Sequence, residues 1–222
     1  PIKRSKKMYD FSYKNASSVD DAINTHKSSE DGAFLAGGQT LLPTLKQRLA
    51  QPSDLIDLSG IGSLSNIEVG QVVKVGAMTT HAEVATSKEI QKALPALSDL
   101  AEGIGDPQVR NRGTIGGSVA NNDPAADYPA VCLALNATIT TNKREITADD
   151  FFTGMFDTAL DEGELITSIS FPIPEKAAYM KFPNPASRYC IVGVMVSQKG
   201  SDVRVGVTGA GACAFRVPEM EA

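Results

Sequence analysis

Two features of this sequence predict an α+β fold. Up to about residue 174, short apolar runs alternate with segments whose apolar residues recur at helical spacing. Beyond about residue 176, strand-like runs follow one another directly and read as an antiparallel sheet. The change falls at Pro174-Glu175-Lys176. It divides the chain into residues 1–175, with an internal split near residue 59 or 60, and residues 176–222.

The elements follow in order. MYDFSY (8–13) reads as a strand. SSVDDAINTHK (17–27) reads as a helix capped by Ser17 or Ser18, with Asp20 and Asp21 in its first turn and Val19, Ala22 and Ile23 on one face. AFLA (33–36) is a short buried strand, TLLPTLKQRL (40–49) a helix that tolerates Pro43 only near its first turn, and DLIDL (54–58) a strand. LSNIEVGQVVKVGAM (64–78) suggests a hairpin turning near Gly70. Thr79 or Thr80 suits the cap of one helix over HAEVATSKEIQKAL (81–94), and Pro95 opens another. A long Gly/Asn/Asp-rich loop precedes a helix in PAADYPAVCLALN (124–136). ATITT (137–141) reads as a strand, TADDFF (147–152) as a helix start, and ELITSISFPIP (164–174) as a strand stopped by its prolines. AAYMKF, CIVGVMVSQ and DVRVGVTGAGACAF supply three strands, and the closing VPEMEA reads as the beginning of a helix. A sheet with one bare face needs a partner layer, so the chain is expected to be incomplete or continued by disordered residues.

Composition narrows the function classes. The chain has 222 residues, 42% apolar and 21% charged, with a net charge of −5. An acidic balance argues against general nucleic-acid binding. The basic PIKRSKK start lacks a following apolar stretch and reads as a frayed terminus, not a signal peptide. No run approaches the length of a transmembrane segment, which gives the expectation of a cytoplasmic protein. Three scattered cysteines without CxxC and two distant histidines argue against a metal or iron–sulfur site within this chain. The cysteines, Cys132, Cys190 and Cys213, sit among small or apolar residues as buried positions do.

Two glycine pairs carry the chemistry. Gly37-Gly38 lies in LAGGQTLLP and Gly116-Gly117 in RNRGTIGGSVANNDPAAD. Glycines let backbone N–H groups point outward, and consecutive outward N–H groups cradle anions. Gln39, Thr40 and Ser118 add side-chain donors, and a helix starting after Thr40 favours negative charge at its N-terminus. Neither stretch is GxGxxG or a P-loop, which disfavours a Rossmann fold. Either pair alone is an ordinary turn signal; two pairs can converge on the two phosphoryl groups of one diphosphate.

In this order, LAGGQTLLP and RNRGTIGGSVANNDPAAD resemble the FAD-binding medium subunit of molybdenum hydroxylases, with aerobic carbon monoxide dehydrogenase the nearest in pattern and the xanthine dehydrogenase flavin domain similar. GAMTTHAEV, ELITSISFP and AYMKFPNPASRYCIVGV extend the likeness from about Tyr9 to Phe215. The resemblance implies a p-cresol methylhydroxylase-type FAD fold of two α/β lobes, then a C-terminal domain with a three-stranded antiparallel sheet. It implies that Ala36, Gly37, Gly38, Gln39, Thr40 and Leu41 surround the FAD diphosphate, with Thr114, Gly116, Gly117 and Ser118 on its other side. Asp123 would be flavin-proximal, Asp127 would join the adenosine-side network, and Ile104 and Ile166 would touch the adenine or its neighbours. Lys181 would sit near the isoalloxazine edge, with Tyr179 near the ring. Read as residues alone, Asp127 also suits a cap for the helix opening at Tyr128, Lys181 a solvated strand position, and the two isoleucines the core. His81 suits a helix start beside the flavin loop, and Arg110 and Arg112 stay unassigned.

The implied partners are an iron–sulfur small subunit, a molybdopterin-containing large subunit and an external acceptor, quinone or NAD, with any membrane contact made through the complex. A self-contained flavin oxidase and a non-catalytic nucleotide-binding domain are the rival classes. The first needs a substrate base, which the sequence does not display.

Overall fold

The computed structural model describes residues 8–222; the PIKRSKK stretch lies outside the described residues. The chain begins with β1 (Ser12–Asn15), α1 (Val19–Ser28), β2 (Gly32–Leu35), α2 (Leu41–Lys46) and β3 (Asp54–Asp57). Then follow β4 (Ile67–Val69), β5 (Val72–Gly76), α3 (His81–Thr86), α4 (Lys88–Ala93), α5 (Pro95–Glu102), α6 (Pro107–Arg110), α7 (Ile115–Asn121) and α8 (Tyr128–Ala134). Next are β6 (Thr138–Thr141), β7 (Glu145–Thr147), α9 (Ala148–Phe151), β8 (Phe152–Gly154), β9 (Asp157–Thr158) and β10 (Ile166–Pro172). Last come β11 (Lys176–Pro183), β12 (Cys190–Lys199), β13 (Asp202–Thr208), β14 (Phe215–Arg216) and α10 (Pro218–Glu221).

These elements build three main sheets. The first is parallel, in the order β1-β3-β2. The second is antiparallel, β4-β5-β10-β6-β7, and the third antiparallel, β11-β12-β13-β14. A β8-β9 hairpin stands apart. Ala22 and Ile23 of α1 pack with Ile56, Leu58, Ile61 and Leu64 into a small core under the first sheet. A larger core lies between the second sheet, α3, α5, α7 and α8, and it takes in Met195 of the third sheet. Among the described residues, no helix is long and apolar enough to cross a membrane.

Local chemistry sets the element ends. Ser18 caps α1 by accepting from Asp21 N–H at 3.0 Å. Thr80 heads α3 in a reciprocal capping box with Glu83. The third sheet lies on α8, where Ser197 Oγ and Arg204 Nε donate to the Ala134 and Leu133 carbonyls at 2.5 and 3.0 Å. Those carbonyls belong to the last turn of α8, whose acceptors lack helical partners.

Four expectations differ from the structure. The first strand starts at Ser12, not Met8, because its pairing with β3 begins at Ser12–Asp54. The helix expected over 81–94 is two, since Ser87 leaves helical geometry and caps α4 through Ile90 N–H. The long glycine-rich loop contains α6 and α7, started by the Asp106 and Thr114 caps. The last sheet gains a fourth, two-residue strand, β14.

Replacing Thr80 by Ala removes one half of the capping box and is expected to cost about 1 kcal/mol of unfolding free energy. Urea titration checks this; an unchanged midpoint would show that the box does not hold α3.

Candidate functional site

The two glycine pairs meet through their backbones. RNRGTIGG is stitched to the segment joining β5 to α3. His81 N–H donates to Gly113 O, Ile115 N–H to Thr79 O and Gly116 N–H to Ala77 O, at 2.9, 3.0 and 2.9 Å. Gly37 lies directly against this segment, and a Cβ there would run into the Arg112 carbonyl and Gly113 Cα. Gly116 lies equally close to Ala77. So these two glycines admit other backbone, while Gly38 supplies a φ of +71° at the turn. Gly117 is different: no other backbone crowds it, a Cβ there would meet Thr114 Oγ1 and the Ala36 methyl, and it borders open space.

That space is a cavity of about 620 Å³. Ala36, Gly37, Gly38, Gln39, Thr40, Leu41, Ile104, Thr114, Gly116, Gly117, Ser118, Asp123, Asp127 and Ile166 all line it. Lys181 does not; it sits behind Asp127. Residues that sequence reasoning did not single out also line it, among them Met78, Glu164 and Tyr189. Their one signal was membership of the family-like segments GAMTTHAEV, ELITSISFP and ASRYCIV.

The two stretches offer different donors. Among the described residues, no acceptor pairs with the N–H groups of Gly37, Gly38, Gln39 or Thr40. Thr40 stands at the N-cap of α2 with no side-chain cap bond, which leaves its hydroxyl free of that duty. In the second stretch the amides are spent. Those of Ile115 and Gly116 go to the β5–α3 connection, Gly117 N–H to Thr114 Oγ1 at 3.1 Å, and Ser118 N–H to Thr114 O at 3.0 Å. The expected second nest of outward N–H groups is therefore absent, because helix α7 and its cap consume them. Hydroxyls and the open surface at Gly117 remain on that side.

Several ionisable groups line the cavity, among them Asp123, Asp127, Glu164 and His81. Asp127 occupies the N-cap position of α8 without making a cap bond. Its Oδ1 accepts from Tyr179 Oη at 2.5 Å and its Oδ2 from Lys181 Nζ at 3.0 Å. Burial pushes its carboxyl upward, and Lys181 and Tyr179 pull it back only in part. Lys181 is itself covered, with 11% of its side chain exposed, so it is not a solvated strand residue. Tyr179 is engaged with Asp127 and is not part of the cavity wall. Asp123 forms a turn, its Oδ1 accepting from Ala125 N–H at 2.8 Å.

Glu164 accepts from Arg144 Nε and Nη2, Thr141 Oγ1 and Asp161 N–H, at 3.1, 3.0, 2.7 and 2.8 Å. The Arg144 guanidinium leads in holding its carboxyl down to about 2, against a smaller upward push from burial. His81, at the first turn of α3, is buried with no partner for Nδ1 among the described residues and lies 5.4 Å from the Tyr128 ring. Burial, helped by the Arg110 charge, lowers its imidazole to about 4. The buried part of the wall thus presents a neutral imidazole and two neutralised carboxylates beside free amides and hydroxyls, with Asp106, Asp123 and Arg188 at its more open parts. Such a surface suits an elongated ligand with an anionic middle.

An NMR titration of His81 should give a midpoint near 4. A midpoint near the solvated value of 6.5 would show an accessible ring. Glu164 should make stability pH-dependent. Its folded carboxyl lies below the ordinary 4.5, so its contribution is present above pH 4.5 and lost as pH falls toward about 2. Glu164→Gln should lower the urea midpoint at neutral pH and flatten that acid dependence. An unchanged acid limb would remove Glu164 from the account.

Comparison with known proteins shows the family. A family model described as the FAD binding domain in molybdopterin dehydrogenase matches residues 9–174. The nicotine 6-hydroxylase medium subunit of Paenarthrobacter nicotinovorans is 39% identical over 220 residues, covering 94% of this chain and 78% of that protein. The carbon monoxide dehydrogenase medium chain of Hydrogenophaga pseudoflava is 36% identical, covering 93% and 77%. Among solved structures, reconstituted CO dehydrogenase from Oligotropha carboxidovorans superposes with a TM-score of 0.90 at 34% identity, covering 97% of this chain and 80% of that one.

Proposed function

This chain belongs to the family of FAD-binding domains in molybdopterin dehydrogenases, and from that premise we propose that it carries electrons through FAD within a molybdenum hydroxylase complex. It is a FAD-binding medium subunit of that type, an oxidoreductase component. In this reading, electrons leave a molybdenum centre in a large subunit and cross iron–sulfur clusters in a small subunit. They would then reach the FAD held by this chain, and quinone or NAD would be the external acceptor. FAD supplies the capacity to take up and release electrons singly or in pairs.

The residues of the chain bind and orient. The free N–H groups of Gly37 to Thr40 and the Thr40 hydroxyl would meet the diphosphate from one side. Ser118 and the bare backbone of Gly117 would meet it from the other. Asp127 would accept from ribose hydroxyls, and Ile104 and Ile166 would flank the adenine end. Asp123 would lie near the flavin. Lys181 would act through Asp127 on the adenosine side and not on the flavin edge, since its ammonium is committed to that carboxylate and to the Gly103 carbonyl. The same reading makes residues 1–175 the FAD-binding unit, with lobes meeting near residue 59, and residues 176–222 a partial C-terminal domain.

The observation that carries the proposal is the cavity built where two glycine pairs meet backbone to backbone, with unpaired amides on one side. Purification of the assembled enzyme should yield flavin absorption and co-purifying iron–sulfur and molybdenum subunits. A colourless protein that stays colourless after FAD is added would sink the reading. Gly117→Val should abolish FAD retention while far-UV circular dichroism keeps its native shape. Unchanged FAD content in that variant would remove the second glycine pair from the site.

A further inference from the structure

Two side chains of β11 converge on one carboxylate. Tyr179 and Lys181 are two residues apart on the strand and so share a face. That face is turned toward the start of α8, where Asp127 receives both donors, one on each oxygen. Asp127 reaches the cavity; its two donors do not. Each carboxylate oxygen keeps lone-pair capacity after one bond.

The phenol is held in a fitted slot. Across the β11–β12 ladder, Gly193 pairs with Lys181, and a Cβ on Gly193 would collide with the Tyr179 hydroxyl. Cys190 Sγ lies 3.8 Å from the same hydroxyl. Burial drives the Tyr179 phenol far above its ordinary value, so it stays protonated and remains a donor. An arrangement with no space for a larger neighbour, and with a carboxylate as the strong acceptor and the Cys190 sulfur as a weak one, holds that hydroxyl on Asp127.

We propose that Tyr179 is a positioning residue for the cofactor: it holds the Asp127 carboxylate oriented and ionised, so that its remaining lone pairs can accept from FAD hydroxyls. This rests on the reading of the cavity as the FAD site. The titratable groups that face Asp127 are Tyr179 and Lys181 on β11, Cys190 on β12, Tyr189 just before it, and Tyr128 on α8. Lys181 alone among them brings a positive charge. Burial holds the Cys190 thiol and the three phenols in their neutral forms. Among the described residues, the phenol of Tyr179 is therefore one of two side-chain donors that, with the backbone N–H of Asp127 itself, offset the burial of this carboxylate.

The sign of the effect follows. Removing a donor to the ionised form raises the Asp127 pKa. FAD would then be lost at a higher pH as acid is added. The test uses the assembled enzyme in wild-type form and as Tyr179→Phe, Asp127→Asn and the double variant. Free flavin fluorescence is read after filtration at each pH, with circular dichroism as the check on folding. Tyr179→Phe should move the midpoint of FAD release upward by about one pH unit. Adding it to Asp127→Asn should move nothing, since no carboxyl remains to titrate.

A second variant, Gly193→Ala, displaces the hydroxyl without removing it and should shift the midpoint in the same direction. A midpoint unmoved in both Tyr179→Phe and Gly193→Ala, with FAD affinity lowered equally at every pH, would overturn the proposal and leave Tyr179 as packing. Wild-type protein that binds no FAD at any pH would instead overturn the reading of the cavity itself.

Discussion

The backbone contact between Gly37 and Arg112–Gly113 is the constraint on which the site depends. Gly37 follows β2 of the parallel sheet, while Arg112 and Gly113 lead into α7 against the second sheet. Any side chain at Gly37 would force the two apart. The hydrogen bonds from His81, Ile115 and Gly116 fix the second partner of this contact to the β5–α3 connection. Position therefore passes from one sheet to the other through main chain, beside which Leu165 and Met78 pack into the small core. Main-chain contacts have few alternative arrangements, which suits a wall that must hold its shape before a ligand arrives.

Electrostatics in the wall follows one pattern. Each buried carboxylate is met by a cation from another element: Asp127 by Lys181 and Glu164 by Arg144. The buried histidine carries no partner that would stabilise a proton on Nδ1. The cavity therefore avoids an uncompensated buried charge, which would be costly. Its attraction for an anionic ligand comes from N–H groups, which are oriented dipoles and need no counter-ion, together with the Arg188 guanidinium at the wall.

Much of this was legible in the sequence because it is local. The Ser18 cap, the turn at Gly70, the Pro95 helix start and the strands of the third sheet are each set by residues within a few positions. The glycine pairs were legible as places of close approach. What they approach was not, because Gly37 meets Arg112 across 75 positions and Gly116 meets Ala77 across 39. Whether an amide is free or spent is likewise a tertiary matter, and so the two stretches looked alike when they are not. The same holds for Asp127: a cap position one residue before a helix predicts a cap bond, yet two donors from a strand more than fifty residues later claim the carboxylate. Tyr189 and Glu164 carried no mark of the site beyond their place in family-like segments, since only folding brings them to the cavity.

The cavity lies where residues from the small core's neighbourhood, such as Phe34 and Leu58, face residues from the large core's side, such as Ala77 and Ile166. A ligand bound there touches both bodies at once and has no such surface in the unfolded chain. By mass action it then adds to the stability of their junction, about 2.7 kcal/mol when free ligand stands a hundredfold above its dissociation constant. The cofactor is in this sense a structural member of the protein: emptying the cavity withdraws a share of the cohesion between two separately packed cores.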